Sequence, residues 1–427
     1  MIAAVIMCLL ISLIVLGMPI AFTLAFCGAL GLYLEVGLPS MFSVLQTTPY
    51  RTAASFLLST VPLFILMAEL LARGDIVQKL YRACYLWVGH IRGGLALAAI
   101  AASVGFAVLS GSSTAAAAAM SRISMPEMRR YGYSESFALG VIAVGGTLSI
   151  MIPPSLPLII YGVLTETSIG RLFLAGILPG ALTALSYVVT IIVQVKRNPD
   201  IAPPTEKHSW SDRLSSLPGT SPAIVLVFLV LGGIYSGAIT ATEAAAVGAA
   251  GAFFISFIVG GLRWKGIKEA FSATLTTTSM IFAIIIGAMI FGYFLAITQV
   301  PQALVVWVGE LPLPSWIILL IIILLYLVLG FFIDQIAILI LTLPLIFPLV
   351  LSLGYDPIWF GIILTKTVEM GLVTPPLGLN VFVACGATNA RVEDGFRGVG
   401  PFLLGDLVVI ILLIVFPSIA TFLPSLM

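Results

Sequence analysis

The sequence predicts an all-α polytopic membrane protein made of two inverted repeats, each with a re-entrant helical hairpin and a broken helix. Three observations predict this fold: the apolar composition, the one-sided placement of the cations, and prolines that recur at a fixed offset. Hydrophobic residues make up 60% of the 427 positions and charged residues 9%, whereas soluble domains are about a quarter charged. Runs near or above the roughly 20 residues that cross a bilayer recur along the chain, as in Met1–Leu34, Ala223–Ile239, Trp316–Leu351 and Phe402–Leu423.

Composition also argues against several classes of function. The net charge of +1 provides no concentrated basic face, so no nucleic-acid partner is expected. The two histidines, His90 and His208, lie far apart, and no HExxH, GxSxG or Asp-rich metal motif is present, which argues against an enzyme. Four cysteines lie in or beside apolar stretches without CxxC spacing and are interpreted as small hydrophobic residues: Cys8, Cys27, Cys84 and Cys385.

The cations predict the orientation through the positive-inside bias. With the N-terminus outside, 16 of the 19 cations fall on the cytoplasmic side, all but Arg51, Arg171 and Lys366. Both termini are then periplasmic, in a multi-pass protein of the bacterial inner membrane. The connection 298–316 has no Lys or Arg and contains Trp307 and Trp316, which is typical of a periplasmic, interfacial segment.

Two apolar stretches must enter and leave the membrane on the same face for this topology. They are 93–121, with cations at both ends, and 316–352, with cations at neither end. Re-entrant helical hairpins meet this requirement. Their non-helical tips are tolerated only where protein or a wet cavity surrounds them.

Backbone breakers reveal the internal repeat. At one offset of 222 residues, four of the five prolines from 126 to 179 land on prolines: Pro126 on Pro348, Pro153 on Pro375, Pro154 on Pro376, and Pro179 on Pro401. In the predicted topology, the first copy enters from outside and the second from inside, so the repeat is inverted. Transporters built this way place solute and ions near the midplane, at helices broken by Gly and Pro.

The repeat divides the chain into four parts. Residues 1–52 are expected to form N-terminal scaffold helices, and residues 199–269 a central cytoplasmic loop with further scaffold helices. The first repeat spans 53–198, with its hairpin at 93–121 and its broken helix at 134–165. The second repeat spans 270–427, with its hairpin at 316–352 and its broken helix at 358–388.

In each half, a hairpin tip is followed by a broken helix. The first tip is Ser110–Thr114, and its helix breaks within Gly145–Ser155; the second tip is Gly330–Gln335, and its helix breaks within Glu369–Asn380. Two adjacent prolines remove two amide donors and free carbonyls upstream. Such carbonyls, together with Ser or Thr hydroxyls, suit a dehydrated alkali cation. Helix starts after the breaks suit an anion.

Simpler interpretations exist for several of these residues. A Pro-Pro pair can be a simple kink, and a Ser-rich turn can be a simple helix cap. However, both Pro-Pro pairs occur in register across the repeat, and each is paired with a polar hairpin tip, which favours a functional role. Asp334, Lys366 and Glu369 are ionisable residues in apolar surroundings and therefore functional candidates, while a structural Lys366–Glu369 pair at i,i+3 spacing is equally consistent. Thr240–Glu243 is expected to form a capping box at a helix start. Trp87 is expected to lie on an interfacial amphipathic helix.

The same residues resemble, nearly from end to end, the large membrane subunit of the tripartite ATP-independent periplasmic (TRAP) transporters. The most specific motifs are Ser110–Thr114, Gly146–Ser155 with Tyr161-Gly162, Thr242–Ala245, and Gly371–Asn380. The resemblance implies an elevator-type carrier, in which a transport domain with both hairpins and both broken helices slides against a scaffold. It also implies a small four-helix membrane subunit and a soluble periplasmic substrate-binding protein as partners. Sodium ions would drive the symport of a small organic anion.

The resemblance further implies two sodium sites and a substrate site at matching positions. One sodium ion is expected near Ser110, Ser113, Ser149, Ile152 and Pro154, and another near Gly330, Gly371, Thr374 and Leu377. The substrate, a C4-dicarboxylate, sialic acid or other carboxylate, is expected near Ser112, Thr147, Ser155, Asp334 and Asn380. Ser149 departs from the glycine that is common in the family, although its carbonyl would serve equally.

Two other transport functions stay open at this point. A stand-alone sodium/dicarboxylate symporter of related elevator architecture would need no binding protein, and transport by this chain alone would identify it. A channel fits less well, because an inverted repeat suits alternating access.

Overall fold

The N-terminal part of the chain contains four helices. The computed structural model describes residues 2–426, and the secondary structure in that range is helical. The first helices are α1 (Ile2–Val15), α2 (Ile20–Ala53), α3 (Thr60–Arg73) and α4 (Ile76–Val88). α3 and α4 meet at a bend of 63°. α4 buries Tyr81 and Leu86 and exposes Arg82 and Trp87, so it is amphipathic as expected.

Five further helices follow within the range 53–198 predicted for the first repeat, which also contains α3 and α4. They are α5 (Gly94–Ser110), α6 (Ser113–Arg130), α7 (Glu135–Met151), α8 (Leu156–Thr165) and α9 (Ile169–Arg197). α5 and α6 pack on each other, and α7 lies among α5, α6 and the later helix 392–415. The apolar window within α7 and α8 is 94% buried, which places this broken helix at the centre of the protein.

Four helices lie between α9 and the second hairpin: α10 (Trp210–Tyr235), α11 (Ala241–Ile258), α12 (Trp264–Ile297) and α13 (Val300–Gly309). α13 and most of α12 fall within the range 270–427 predicted for the second repeat. The capping box at Thr240 and Glu243 is confirmed, because Glu243 accepts from the Thr240 amide at 2.8 Å and donates its own amide to Thr240 Oγ1 at 3.3 Å. α12 packs along α2, and α11 along α3. The α2–α12 contact requires Gly28, since a Cβ there would lie 2.7 Å from the Phe291 nitrogen.

The second repeat contains α14 (Ser315–Phe332), α15 (Gln335–Ser352), α16 (Pro357–Gly371), α17 (Leu379–Thr388), α18 (Val392–Val415) and the short α19 (Ser418–Ser425). Its helix bounds recur at the proline offset. α15 begins and ends 222 residues after α6, and α14, α16, α17 and α18 begin 221 to 223 residues after α5, α7, α8 and α9. The repeat is therefore present in the order and length of the helices. Its inverted orientation stays a prediction.

Nine helices of residues 2–426 are long and apolar enough to cross a membrane, or ten if the bent α3–α4 pair is one span. This agrees with an all-α polytopic membrane protein. The predicted hairpins correspond to the pairs α5–α6 and α14–α15, although α6 continues to Arg130, beyond the predicted end at 121. α14 and α15 each have 18 residues, about the length needed to span a bilayer, so the re-entrant course of the hairpins also stays a prediction.

Candidate functional site at the two helix breaks

The first hairpin tip lies against the first helix break. Between α7 and α8, residues 152–155 are non-helical and buried, and the Pro153-Pro154 bond is cis. Gly111 adopts a left-handed φ of +58°, and a Cβ there would lie 2.9 Å from the Pro154 carbonyl oxygen. Only glycine therefore allows this approach of tip and break.

The residues expected at the first sodium ion are held at this contact. Ser110 Oγ donates to the Ser112 carbonyl at 3.4 Å, and Ser113 is fully buried. The Ser149 side chain is also fully buried, and its Oγ has no hydrogen-bond partner among the described residues. Because a buried unpaired hydroxyl is unfavourable, the Ser149 oxygen fits a missing ligand such as a cation. The family resemblance implies a site formed largely by backbone carbonyls, so the unpaired hydroxyl of Ser149 is a further candidate ligand.

The second tip and the second break meet through two glycines. A Cβ added to Gly371 would lie 2.7 Å from the Gly330 Cα atom, so both positions require glycine for contact. Thr374 Oγ1 donates to the Met370 carbonyl at 2.7 Å, which leaves its lone pairs available. Leu377 is 44% exposed. The second break is thus more open than the first, although the Pro375-Pro376 bond is cis as well.

Asn380 connects the two repeats. Its Nδ2 donates to Ser113 Oγ at 2.5 Å and to the Ala143 carbonyl at 3.3 Å. The residue is fully buried, and its Oδ1 has no partner among residues 2–426. The start of α17 therefore lies against the start of α6, with an unpaired amide oxygen between the halves.

Three other expected substrate residues cap helices. Ser112 Oγ accepts from the Ala115 amide at 3.5 Å, and Ser155 Oγ accepts from the Leu158 amide at 3.5 Å. Ser155 also donates to the Ile150 carbonyl, across the first break. Asp334 accepts from the Ile336 amide at 3.1 Å and is exposed. All three side chains therefore cap helices beside the tips and the first break, as the capping interpretation of the Ser-rich turn expects for Ser112.

Thr147 belongs to a buried polar network instead. Its Oγ1 lies 3.1 Å from the Tyr187 hydroxyl, which donates to Asp406 Oδ1 at 2.8 Å. Lys366 Nζ donates to the same Asp406 oxygen at 2.6 Å and to Glu369 Oε1 at 3.0 Å. All five side chains are fully buried. The i,i+3 pair of Lys366 and Glu369 is therefore present, as part of a network that joins α7, α9, α16 and α18.

Sequence reasoning missed Asp406 and Tyr187. Asp406 lies in the run Phe402–Leu423, whose composition predicts only an apolar span. A lone carboxylate in such a run is itself a signal of a functional or paired group. Tyr187 carries no such signal, because tyrosine is common in membrane helices near the interface.

Both expected sodium groups consist of hydroxyl and carbonyl oxygens, which suit an alkali cation. Within the described part of the chain, no group of three or more His, Cys, Asp and Glu side chains is arranged to hold a metal ion. The donor chemistry at the breaks therefore fits sodium better than a transition metal.

Known proteins are similar in sequence to this chain. Residues 7–419 match the family described as tripartite ATP-independent periplasmic transporter, DctM component. The chain is 38% identical to the C4-dicarboxylate TRAP transporter large permease protein DctM of Pseudomonas aeruginosa, over 88% of each chain. It is 33% identical to the sialic acid TRAP transporter large permease protein SiaM of Vibrio cholerae and 32% identical to the ectoine TRAP transporter large permease protein TeaC of Halomonas elongata, in both cases over 97% of each chain.

A solved structure shares the fold. The crystal structure of the Alcanivorax borkumensis YdaH transporter is similar with a TM-score of 0.61, over 89% of each chain. The sequence identity is 13%, so this likeness concerns the fold alone.

Proposed function

The chain belongs to the DctM family of tripartite ATP-independent periplasmic transporters, and from this premise we propose that it is the large membrane subunit of a sodium-coupled importer of a small organic anion. The substrates in the names of the three relatives described above, C4-dicarboxylates, sialic acid and ectoine, all carry a carboxylate. We therefore expect a carboxylic acid as substrate. A soluble periplasmic binding protein would deliver it, and a small four-helix membrane subunit would complete the assembly.

The convergence of three helix starts supports an anion site. α6 and α17 meet where Asn380 donates to Ser113. α8 begins beside the first tip, because a Cβ on Gly111 would lie 3.4 Å from the Leu156 nitrogen. Helix N-termini present free N–H groups and a positive dipole end. A carboxylate near Ser112, Ser155 and Asn380 would be stabilised by all three, and this is the observation that carries the proposal.

Sodium would occupy the two groups of uncharged oxygens beside this anion site. The first group contains the unpaired hydroxyl of Ser149, and the second contains Thr374 beside the Gly330–Gly371 contact. Two cations next to a carboxylate compensate its charge in a medium of low dielectric constant. Binding of the ions and the substrate would thus be mutually favourable, which is the physical basis of symport.

The elevator movement needs a boundary between a transport domain and a scaffold. We place the hairpins and broken helices, α5–α8 and α14–α17, in the transport domain, and α2, α3, α11 and α12 in the scaffold. A cavity of about 1140 Å³ separates the end of α8 and the start of α9 from α2, α11 and α12. Its walls include Thr48, Arg51, Glu166 and Tyr293. Loose packing at this boundary is consistent with sliding, because close-packed interiors resist displacement.

Uptake of labelled organic acids into proteoliposomes tests this function. The vesicles would contain this chain with its small subunit, and the binding protein would be added outside with an inward sodium gradient. We expect uptake that requires both the sodium gradient and the binding protein. An equal potassium gradient is the control for the membrane potential.

The other outcomes discriminate the alternatives. Uptake without the binding protein would support a stand-alone symporter. If uptake is unchanged when potassium replaces sodium, the proposal that the two groups of oxygens bind sodium is wrong. Asn380→Leu should abolish uptake while the protein still folds, since its amide borders the anion site; unchanged uptake by this variant would remove Asn380 from the site.

A further inference from the structure

A second cavity, of about 550 Å³, lies between α4 and the start of α10. Lys79 and Arg82 of α4 form one wall, and His208 and Asp212 form the other. The cavity shares no residue with the helix breaks. It lies in the part of the chain that the cations predict to be cytoplasmic.

The charges in this cavity favour an anion. Among residues 2–426, Arg82 makes no ion pair within 4.0 Å, and its side chain is exposed. Lys79 uses one of its three donors on the Val259 carbonyl. The only carboxylate in the wall, Asp212, is engaged in capping α10, where it accepts from the Ser209 amide at 3.1 Å. The cavity wall therefore carries two cationic side chains and one carboxylate that is already hydrogen-bonded, so its net charge is positive.

An unpaired ring nitrogen points to the same conclusion. His208 Nε2 is buried and has no hydrogen-bond partner among the described residues. Its ring is fixed by an edge contact with Tyr85, with centroids 5.0 Å apart. An oxygen of a bound anion would satisfy this nitrogen when it carries its hydrogen.

Two exposed tryptophans beside the cavity are typical of the boundary between lipid and water. Trp87 and Trp210 pack edge to face with ring centroids 6.2 Å apart, and both are exposed. Tryptophan prefers the interfacial level of a membrane. Below them, an exposed apolar strip runs down α10 through Leu217, Ile224 and Phe228. An acyl chain could lie on this strip while its headgroup occupies the cavity.

We propose that this cavity binds the phosphodiester headgroup of an anionic phospholipid of the cytoplasmic leaflet. Basic pockets between membrane helices on this side recognise such headgroups. Arg82 and Lys79 would hold the phosphate oxygens, and His208 would donate to a third. The bound lipid would tie α4, the helix that follows the bend after α3, to α10. This inference does not depend on which solute the protein carries.

Lipid-dependent thermal unfolding tests the proposal. The purified protein would be titrated in detergent with phosphatidylglycerol, with phosphatidylcholine, or with inorganic phosphate, and its Tm measured. We expect phosphatidylglycerol alone to raise the Tm. Arg82→Gln should shift the midpoint of that titration by roughly tenfold, the effect of one charged hydrogen bond. Arg263→Gln, an exposed arginine outside the cavity, is the matched control and should titrate like the wild type.

Several results would overturn it. An Arg82→Gln variant that titrates like the wild type would exclude the cavity as the site. An equal effect of inorganic phosphate would indicate a site for free anions rather than for lipid. If the variant does not fold, native mass spectrometry of the wild type decides instead: equal retention of phosphatidylglycerol and phosphatidylcholine would contradict the proposal, and selective retention of phosphatidylglycerol would support it.

Discussion

At the scale of single residues, the buried charges are the most demanding feature of this protein. Lys366, Glu369 and Asp406 have no exposure, and one ammonium faces two carboxylates. Removing an ion from water is costly unless partners surround it. Tyr187 supplies one further hydrogen bond, to Asp406. The second oxygens of both carboxylates have no partner among residues 2–426. The arrangement therefore depends on Lys366 more than on any other member.

Lys366→Met tests this dependence. Methionine fills a similar volume but leaves two buried carboxylates without a cation, so we expect a loss of about 3–5 kcal/mol in the free energy of unfolding, seen as a lower Tm in detergent. The same substitution at the exposed Lys265 is the control and should leave the Tm unchanged. Adding Glu369→Gln and Asp406→Asn to Lys366→Met should restore part of the stability. A Lys366→Met protein that melts like the wild type would show that the network is not stabilised by its ions.

Thr374→Val tests the second sodium site. The substitution keeps the shape and removes one oxygen ligand, so the sodium concentration for half-maximal uptake should rise, by up to about tenfold. Thr367→Val is a close control, because Thr367 lies in the preceding helix, α16, and its hydroxyl also donates to a carbonyl one turn back, at 2.8 Å. Unchanged sodium dependence in Thr374→Val would remove Thr374 from the site.

At the scale of helices, each break is positioned by a tip that approaches it closely. Adjacent prolines end the regular hydrogen bonding of α7 and α16. The tips then reach the breaks through glycines, Gly111 at the first and Gly330 with Gly371 at the second. In the broken helices alone, the carbonyls before the prolines would lack hydrogen-bond donors. In the proposed cation sites, the tips would cover these carbonyls and add further oxygens.

Gly371→Ala tests the role of the second tip. The added Cβ would lie 2.7 Å from the Gly330 Cα atom, so the hairpin must shift, at a cost of about 1–3 kcal/mol for overpacking. We expect a lower Tm and loss of the stabilisation that sodium is proposed to give to the wild type. Gly386→Ala is the control, because nothing lies within 4 Å of a Cβ there. Full sodium stabilisation in Gly371→Ala would mean that the tip does not shape the site.

At the scale of the whole molecule, the two repeats share one order of helices. The bounds of α5–α9 recur in α14–α18 at nearly one offset. Among the remaining helices, α12 packs along α2 and α11 along α3. The contact between Asn380 and Ser113 joins the repeats at their middle. The candidate site is thus shared between the halves, and neither repeat holds it alone.

Cysteine labelling tests the orientation of the chain. In a variant without its four cysteines, Glu310→Cys should react with a membrane-impermeant maleimide in intact spheroplasts, because the segment 298–316 is expected to be periplasmic. Lys207→Cys should react only after permeabilisation, because residues 199–209 are expected to be cytoplasmic. The reverse pattern would invert the topology, and labelling of both in intact spheroplasts would rule out the predicted arrangement of spans.

The sequence by itself determined the membrane class, the repeat and the position of both breaks. These properties follow from local chemistry: apolar composition decides whether a segment enters lipid, and two adjacent prolines remove two amide donors from a helix. Single prolines such as Pro126 and Pro179 lie within continuous helices. The sequence also led to the residues at the breaks through motifs that are contiguous in sequence. The tertiary packing decided which side chains from distant helices meet. Asp406 meets Lys366 across 40 residues, Tyr187 meets Asp406 across 219, and Asn380 meets Ser113 across 267. No local pattern encodes such pairs, because each depends on how helices distant in sequence cross in the folded protein.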